Sequence, residues 1–319
     1  MPGRKNPVGI WCCATGEPNT GSRHLKTDGV KLMKLGVICD GISRDLSHAV
    51  KVMDEFDLEY AELQFVGDKE VGDHSKQEIS QIKDLLQAHG KPVSCLSRHI
   101  FAGMTSVNRP GDTLHNKHMD ALRRVIDMAH QVGSPLVRIM TSKKEQILWG
   151  ENGAEKWNVA HGAWDALPPL IAPAVELAKA AELTLVVETG NGTMVNSNYT
   201  ARKLIDDLNA KDTLKVLWDP GNNCWCHELA YPDGYNEIKD GYLGHIHIKD
   251  VLVDTPRATL KVKKMGEGQL ADLFRPMADA LRADAYDGVI SFESVYHNGD
   301  GCFETGFREC IGQFKEIFG

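Results

Sequence analysis

The sequence predicts an α/β fold, a (β/α)8 TIM barrel with an N-terminal extension, and three observations carry that expectation. Short β-branched runs alternate with helical patterns eight times along the chain, as repeated βα units do. Eight is also the strand number of the closed parallel barrel. Finally, four successive runs in the second half close on or near polar residues, Glu188, Asp219, His247 and Glu293, and parallel sheets place their chemistry at the carboxyl ends of strands.

The expected strands are Leu35–Asp40, Tyr60–Phe65, Pro92–Ser97, Leu136–Thr141, Leu183–Glu188, Leu214–Asp219, Leu243–Ile248 and Val289–Glu293. Between them, apolar residues recur at offsets of three and four. The stripes are Leu46, Val50, Met53 and Phe56; Ile79, Ile82, Leu85 and Leu86; Leu122, Val125, Ile126 and Ala129; and Leu170, Ala174, Leu177 and Ala178. They continue with Ala201, Leu204, Ile205 and Leu208; Leu270, Leu273, Met277 and Leu281; and Phe303, Phe307, Ile311 and Phe314. One apolar stripe per helix suits an outer ring packed on an inner barrel. Between strands six and seven, only Tyr235 and Ile238 anchor a short helix within Glu228–Asp240.

A doubly wound open sheet would use the same units, but no G-x-G-x-x-G follows the first strand, and an open sheet concentrates its ligands at one switch point. Residues 1–34 form the extension, with an apolar patch at Val8–Cys13, and residues 35–319 form the catalytic domain. A lid, an oligomer contact and a plug over the barrel floor are all open roles for the extension. The stretch Ser142–Asp165, with Trp149, Trp157 and Trp164, leaves the catalytic edge of strand four and is placed to cover the site.

Bulk properties narrow the function. The 319 residues are 42% apolar, with Lys+Arg 36 against Asp+Glu 44 and a net charge of −8. No basic block tracks a phosphate backbone, which argues against nucleic acid as a partner. There is no run of roughly 18 apolar residues to span a membrane and no secretory leader in Met1–Pro7, so a cytoplasmic protein is expected. The eight cysteines are scattered, several of them in apolar runs such as Cys39, Cys95 and Cys310, as buried free thiols in a reducing compartment would be.

The strand ends carry the chemistry. In Asp219-Pro-Gly-Asn222, Pro and Gly supply the turn, which aims the carboxylate into the barrel mouth with the Asn222 amide beside it. In His245-Ile-His-Ile-Lys-Asp250, alternation puts His245, His247 and Lys249 on one face. Charged groups in a barrel mouth cost several kcal/mol unless paired or metal-bound. Three oxygen ligands and one nitrogen favour one divalent ion, Mn²⁺ first, with Mg²⁺, Co²⁺ or Zn²⁺ as alternatives. Such an ion acidifies the proton beside a chelated carbonyl, and two carboxylates then move it.

Glu188, Asp219-Pro-Gly-Asn222, His247-Ile-Lys-Asp250 and Glu293 resemble the metal-binding signature of the sugar-phosphate isomerase/epimerase family, the xylose isomerase-like TIM barrels that also include endonuclease IV. The likeness runs from about Leu35 to the C-terminus and takes in Val137-Arg138. It implies Glu188, Asp219, His247 and Glu293 as ligands, Glu188 and Glu293 as the acid/base pair, and a homodimer or homotetramer. The expected activity is isomerisation or epimerisation of a keto-sugar through an enediolate. His99, Asn222, Lys249 and Arg138 are the candidate substrate-binding residues, Arg138 with an interior ion pair as its alternative. Lys249 has two readings, an oxyanion partner or a pair with Asp250. Glu62 is expected to line the interior and to bond a residue of a neighbouring strand, and His245 to be structural, with a hydrogen bond behind the ligands as its alternative.

Two positions depart from the ketose 3-epimerase pattern: Asn222 stands where that subgroup has a His, and Val253 where it has an Arg. Lys249-Asp250 resembles the inosose dehydratase or isomerase branch instead. There the same enolate expels a β-hydroxyl, and in the related C-glycoside deglycosidase it expels an aglycone with the help of a small second subunit. An endonuclease IV-type phosphodiesterase needs a larger ligand set, with a His at position 222, and a non-catalytic sugar binder needs no paired acids. Without a phosphate cradle beyond Gly266-Glu-Gly268, an unphosphorylated substrate is expected.

Overall fold

All eight expected strands form, and they close on one another. The computed structural model describes residues 32–144 and 161–319. Its barrel strands are β1 (Lys34–Ile38), β2 (Tyr60–Leu63), β3 (Val93–Ile100), β4 (Leu136–Ile139), β5 (Thr184–Glu188), β6 (Leu214–Trp218), β7 (Leu243–Ile248) and β8 (Val289–Phe292). Each pairs in parallel with its sequence neighbours, and β8 returns to β1, so no barrel edge is left open. Register shifts at Ala61/Glu62, Ser97/Ile100 and Val216/Leu217 re-aim side chains close to the mouth.

The helices are α1 (Leu46–Glu55), α2 (Lys76–Ala88), α3 (Thr113–Val132), α4 (His161–Ala180), α5 (Asn198–Asp207), α6 (Tyr235–Ile238), α7 (Ala271–Ala283) and α8 (Phe303–Phe318). Their starts are written locally. Asp45 caps α1, Ser75 and Glu78 form a reciprocal capping box on α2, Asp112 caps α3, and Ser197 with Thr200 caps α5. Helix α3 stops at Gly133, whose φ of 77° suits glycine. The short α6 forms around Tyr235 and Ile238, both buried as expected. None of the described helices is long and apolar enough to cross a membrane.

The apolar stripes of the helices and the outward faces of the strands form one large core. A second, small cluster of Cys95, Val186 and Leu217 is packed against Leu136. Alternation along β3, β5 and β6 puts these three side chains on the same faces as Ser97, Glu188 and Asp219. They are therefore an apolar floor inside the barrel, with the polar residues above it. Cys39, Cys95 and Cys310 are buried free thiols, as expected.

Two hairpins were not anticipated. Phe65–Val66 pairs with Lys69–Glu70 after β2, and Asp250–Asp254 pairs with Thr259–Lys263 after β7. The long tryptophan-containing stretch is also shorter than expected at its far end. Trp164 belongs to α4, is buried, and donates its Nε1–H to Asp207 at 2.7 Å. The extension up to residue 31, together with Trp149 and Trp157, lies outside the described residues.

Candidate metal centre

The barrel brings the four predicted ligands to one point. Potential ligand atoms of Glu188, Asp219, His247 and Glu293 all lie within 4.8 Å of one another. Glu188 ends β5, and Asp219 follows β6 as the N-cap of the Pro220–Asn223 turn, where it accepts the Asn222 N–H at 3.1 Å. Its own N–H donates to Thr189 Oγ1 at 3.2 Å, which fixes the turn against the end of β5. Glu293 extends β8 by one rung, since its N–H donates to the Ile248 carbonyl at 2.9 Å. Asp219 and His247 are fully buried, Glu188 almost so, and the Glu293 side chain keeps 20% exposure. The cluster therefore opens to solvent on the Glu293 side.

Two cations sit among these acids. Arg138, buried in β4, donates to Glu188 Oε2 at 2.9 Å and to the Ser97 carbonyl. The structure thus places Arg138 beneath the cluster as an interior ion pair, one of its two expected roles. Burial alone would raise the Glu188 carboxyl, but Arg138 and His247 outweigh it and hold the group down at about 2. Lys249 Nζ bridges Asp219 Oδ2 at 2.5 Å and Glu293 Oε2 at 2.6 Å. Burial and the crowding of Glu293 and Glu188 nonetheless push Asp219 up to about 7, against the pull of Lys249. Asp219 and Glu293 thus share one ammonium.

His247 carries the most telling atom. Its Nδ1 is buried with no hydrogen-bond partner, 3.6 Å from Glu188 Oε1 and 4.0 Å from Glu293 Oε2. Burial would lower its pKa, but Glu62 and Glu188 outweigh that and raise it to about 10. An unpartnered imidazole nitrogen facing surplus carboxylate oxygens is the donor set of a hard or borderline dication, which would displace the Nδ1 proton on binding. The residues present fit such an ion.

Other expected residues distribute unevenly. Asn222 joins the cluster, with Nδ2 donating to Glu188 Oε1 at 3.3 Å. His99 does not. Its backbone N–H and its Nδ1 both engage Glu70 Oε1, at 2.9 and 2.8 Å, on the hairpin after β2. Lys249 is not paired with Asp250, whose two oxygens accept the N–H groups of Val251, Gly266, Gly268 and Leu270. Gly266-Glu-Gly268 is thereby a tethered loop, and two of its N–H groups are already taken. Gly221 leaves room for the Lys249 stem, because a Cβ there would lie 2.9 Å from Lys249 Cγ. Glu62 lines the interior as expected, fully buried, and bonds Ser97 on the neighbouring strand; what sequence reasoning missed is that it also binds His245 and His247. The available signal was a lone acid between Ala61 and Leu63 in an apolar strand.

A closed parallel barrel with three carboxylates and an imidazole at its mouth defines an α/β barrel whose mouth could hold a divalent ion. The sequence matches the xylose isomerase-like TIM barrel family over residues 50–312, and the chain belongs to that family. Comparison with curated proteins finds no match. Among solved structures, a xylose isomerase-like TIM barrel protein from Mycobacterium smegmatis in complex with magnesium is 16% identical, with a TM-score of 0.60, covering 86% of this chain and 89% of that one. The 3-keto-D-glucoside 4-epimerase of E. coli is 17% identical, with a TM-score of 0.58 and coverage of 86% and 98%. The probable 3-DHS dehydratase of petrobactin synthesis from Bacillus anthracis is 13% identical, with a TM-score of 0.65 and coverage of 86% and 97%. At these identities the likenesses speak to the fold.

Proposed function

We propose that this protein is a divalent-metal-dependent isomerase or epimerase of an unphosphorylated keto-sugar or related polyol ketone, with Glu188 and Glu293 as its acid/base pair. The observation that carries the reading is the convergence of Glu188, Asp219, Glu293 and the unpartnered His247 Nδ1 at one point. When bound, the dication, Mn²⁺ first, polarises the substrate carbonyl and stabilises the negative charge that builds up on it. The chain's residues do the rest. One of the two glutamates removes the proton beside the carbonyl, and the other returns a proton to the opposite face or to the neighbouring carbon. Arg138 keeps Glu188 ionised, and Asn222 beside it offers an amide to a sugar hydroxyl. The tethered 266–268 loop leaves no cradle for a phosphate, which supports an unphosphorylated substrate.

A second reading ends the same enolisation by expelling a β-hydroxyl, as a dehydratase would. The Lys249 ammonium, 2.6 Å from Glu293, favours it by setting a positive charge beside the acid/base pair, where a departing hydroxyl gathers negative charge. Incubating Mn²⁺-loaded protein with keto-sugars and inososes in D₂O tests both. Deuterium at the carbon beside the carbonyl supports enolisation, and a dehydrated product selects the lyase. Protein that binds Mn²⁺ but shows neither exchange nor product with any of them would refute the assignment.

A further inference from the structure

The side chains of the upper barrel interior include a group that the proposed chemistry leaves unused. Glu62 on β2 is fully buried and lies across the lumen from β7, with β1 and β8 between them in the sheet. Its Oε1 accepts from Ser97 Oγ and from His247 Nε2–H at 2.8 Å, and its Oε2 accepts from His245 Nε2–H at 2.7 Å. An ionised carboxylate accepts and never donates, so both imidazoles must carry a proton on Nε2. His245 stands edge-on against His247, with ring centroids 5.5 Å apart and planes at 80°, and so limits rotation of the His247 ring. With Nε2 committed to Glu62, the nitrogen left to face Glu188 and Glu293 is Nδ1, the one without a partner.

We propose that Glu62 is the positioning residue that selects Nδ1 of His247 for the dication, with Ser97 and His245 holding the clamp. This rests on the reading of the mouth as a metal centre. In this arrangement Glu62 acts through His247 rather than on the substrate, so its effect falls on metal affinity. Hydrogen-bond partners of metal-bound histidines typically change that affinity by about 10–100-fold.

Glu62→Gln is the discriminating variant. A glutamine oxygen accepts from one imidazole while its amide donates to the other, so the two rings can no longer both keep Nε2–H. Calorimetric titration of the apo-protein with Mn²⁺ should show a Kd about 10–100-fold weaker in Glu62→Gln and a smaller loss in Ser97→Ala. The ¹⁵N–¹H histidine spectrum of Zn²⁺-loaded wild type should show His247 protonated on Nε2 and metal-bound through Nδ1. A folded Glu62→Gln variant with a Kd within twofold of wild type overturns the proposal, as does a wild-type spectrum with the two nitrogens reversed. Should the variant fail to fold, the wild-type spectrum alone decides. Wild type that binds no dication takes down the metal reading itself, whereas equal binding by wild type and variant sinks only the role of Glu62.

Discussion

Replacing Lys249 by Met removes a charge and keeps an unbranched stem beside Gly221. The ammonium lies 2.5 Å from buried Asp219 and 2.6 Å from Glu293. At an effective dielectric of about 20, each contact is worth roughly 6 kcal/mol of gross attraction, much of it offset by desolvation. Removing one partner of a buried pair costs about 3–5 kcal/mol, because the other charge is left uncompensated. In a domain of this size, 1 kcal/mol moves the melting temperature by roughly 2–4 °C, so metal-free Lys249→Met should melt on the order of 10 °C below wild type. Saturating Mn²⁺ places positive charge on the same two carboxylates and should recover most of the deficit. The apparent Mn²⁺ affinity of the variant should also rise, since no ammonium has to be displaced. Differential scanning calorimetry with and without Mn²⁺ measures both effects. A deficit of equal size in the two conditions, or none in the metal-free protein, would refute the argument that lysine and dication share these ligands.

Three further perturbations test other parts of the structure. Glu188→Gln and Glu293→Gln should each lower turnover by about 100-fold or more while still binding Mn²⁺; full activity in both variants would remove the acid/base assignment. Burial pushes Glu228 up to about 7, against the backbone N–H groups of Asn198 and Tyr199 that it accepts. Because its folded pKa lies above the unfolded value, its contribution is fully present below about 4.5 and is lost as pH rises to about 7, by at most about 3 kcal/mol. Glu228→Gln should flatten that part of the urea midpoint profile, and an unchanged slope would count against the burial argument. Asp250→Asn turns an amide toward two of the four N–H groups that the carboxylate accepts, at a cost of about 2–4 kcal/mol. The variant should be cleaved faster within residues 264–270 under limited proteolysis, and wild-type resistance there would show that the tether is dispensable.

The strands and most helices were legible because their signals are local. Apolar runs ending in an acid, capping residues and a three–four stripe each reside in a few neighbouring positions, and even the two-residue anchor of α6 sufficed. The mouth was legible for the same reason, since each ligand closes its own strand and a closed barrel brings consecutive ends together. What escaped depends on partners that periodicity does not name. Alternation puts Glu62 and His247 inside, yet their contact crosses the lumen between residues 185 positions apart. His99 lies apart from the acid cluster because β3 runs on to Ile100 with a register shift after Ser97, and a one-residue slip turns a side chain to the other face. Asp250 looked like a charge partner for Lys249, but the strand continues into a hairpin that brings four amides to it instead.

The apolar floor of Cys95, Val186 and Leu217 is fully buried beneath the acids. Among the described residues the acid cluster is most exposed at Glu293, so in the proposed reaction the substrate would enter on that side. In the proposed reaction a ketone seated there would cut the carboxylates off from bulk water, so a proton lifted by either glutamate would have few places to go except back to the sugar. Under single-turnover conditions in D₂O, part of the product should therefore keep the original hydrogen, and a hydrophilic replacement at the floor, such as Val186→Ser, should wash that memory out.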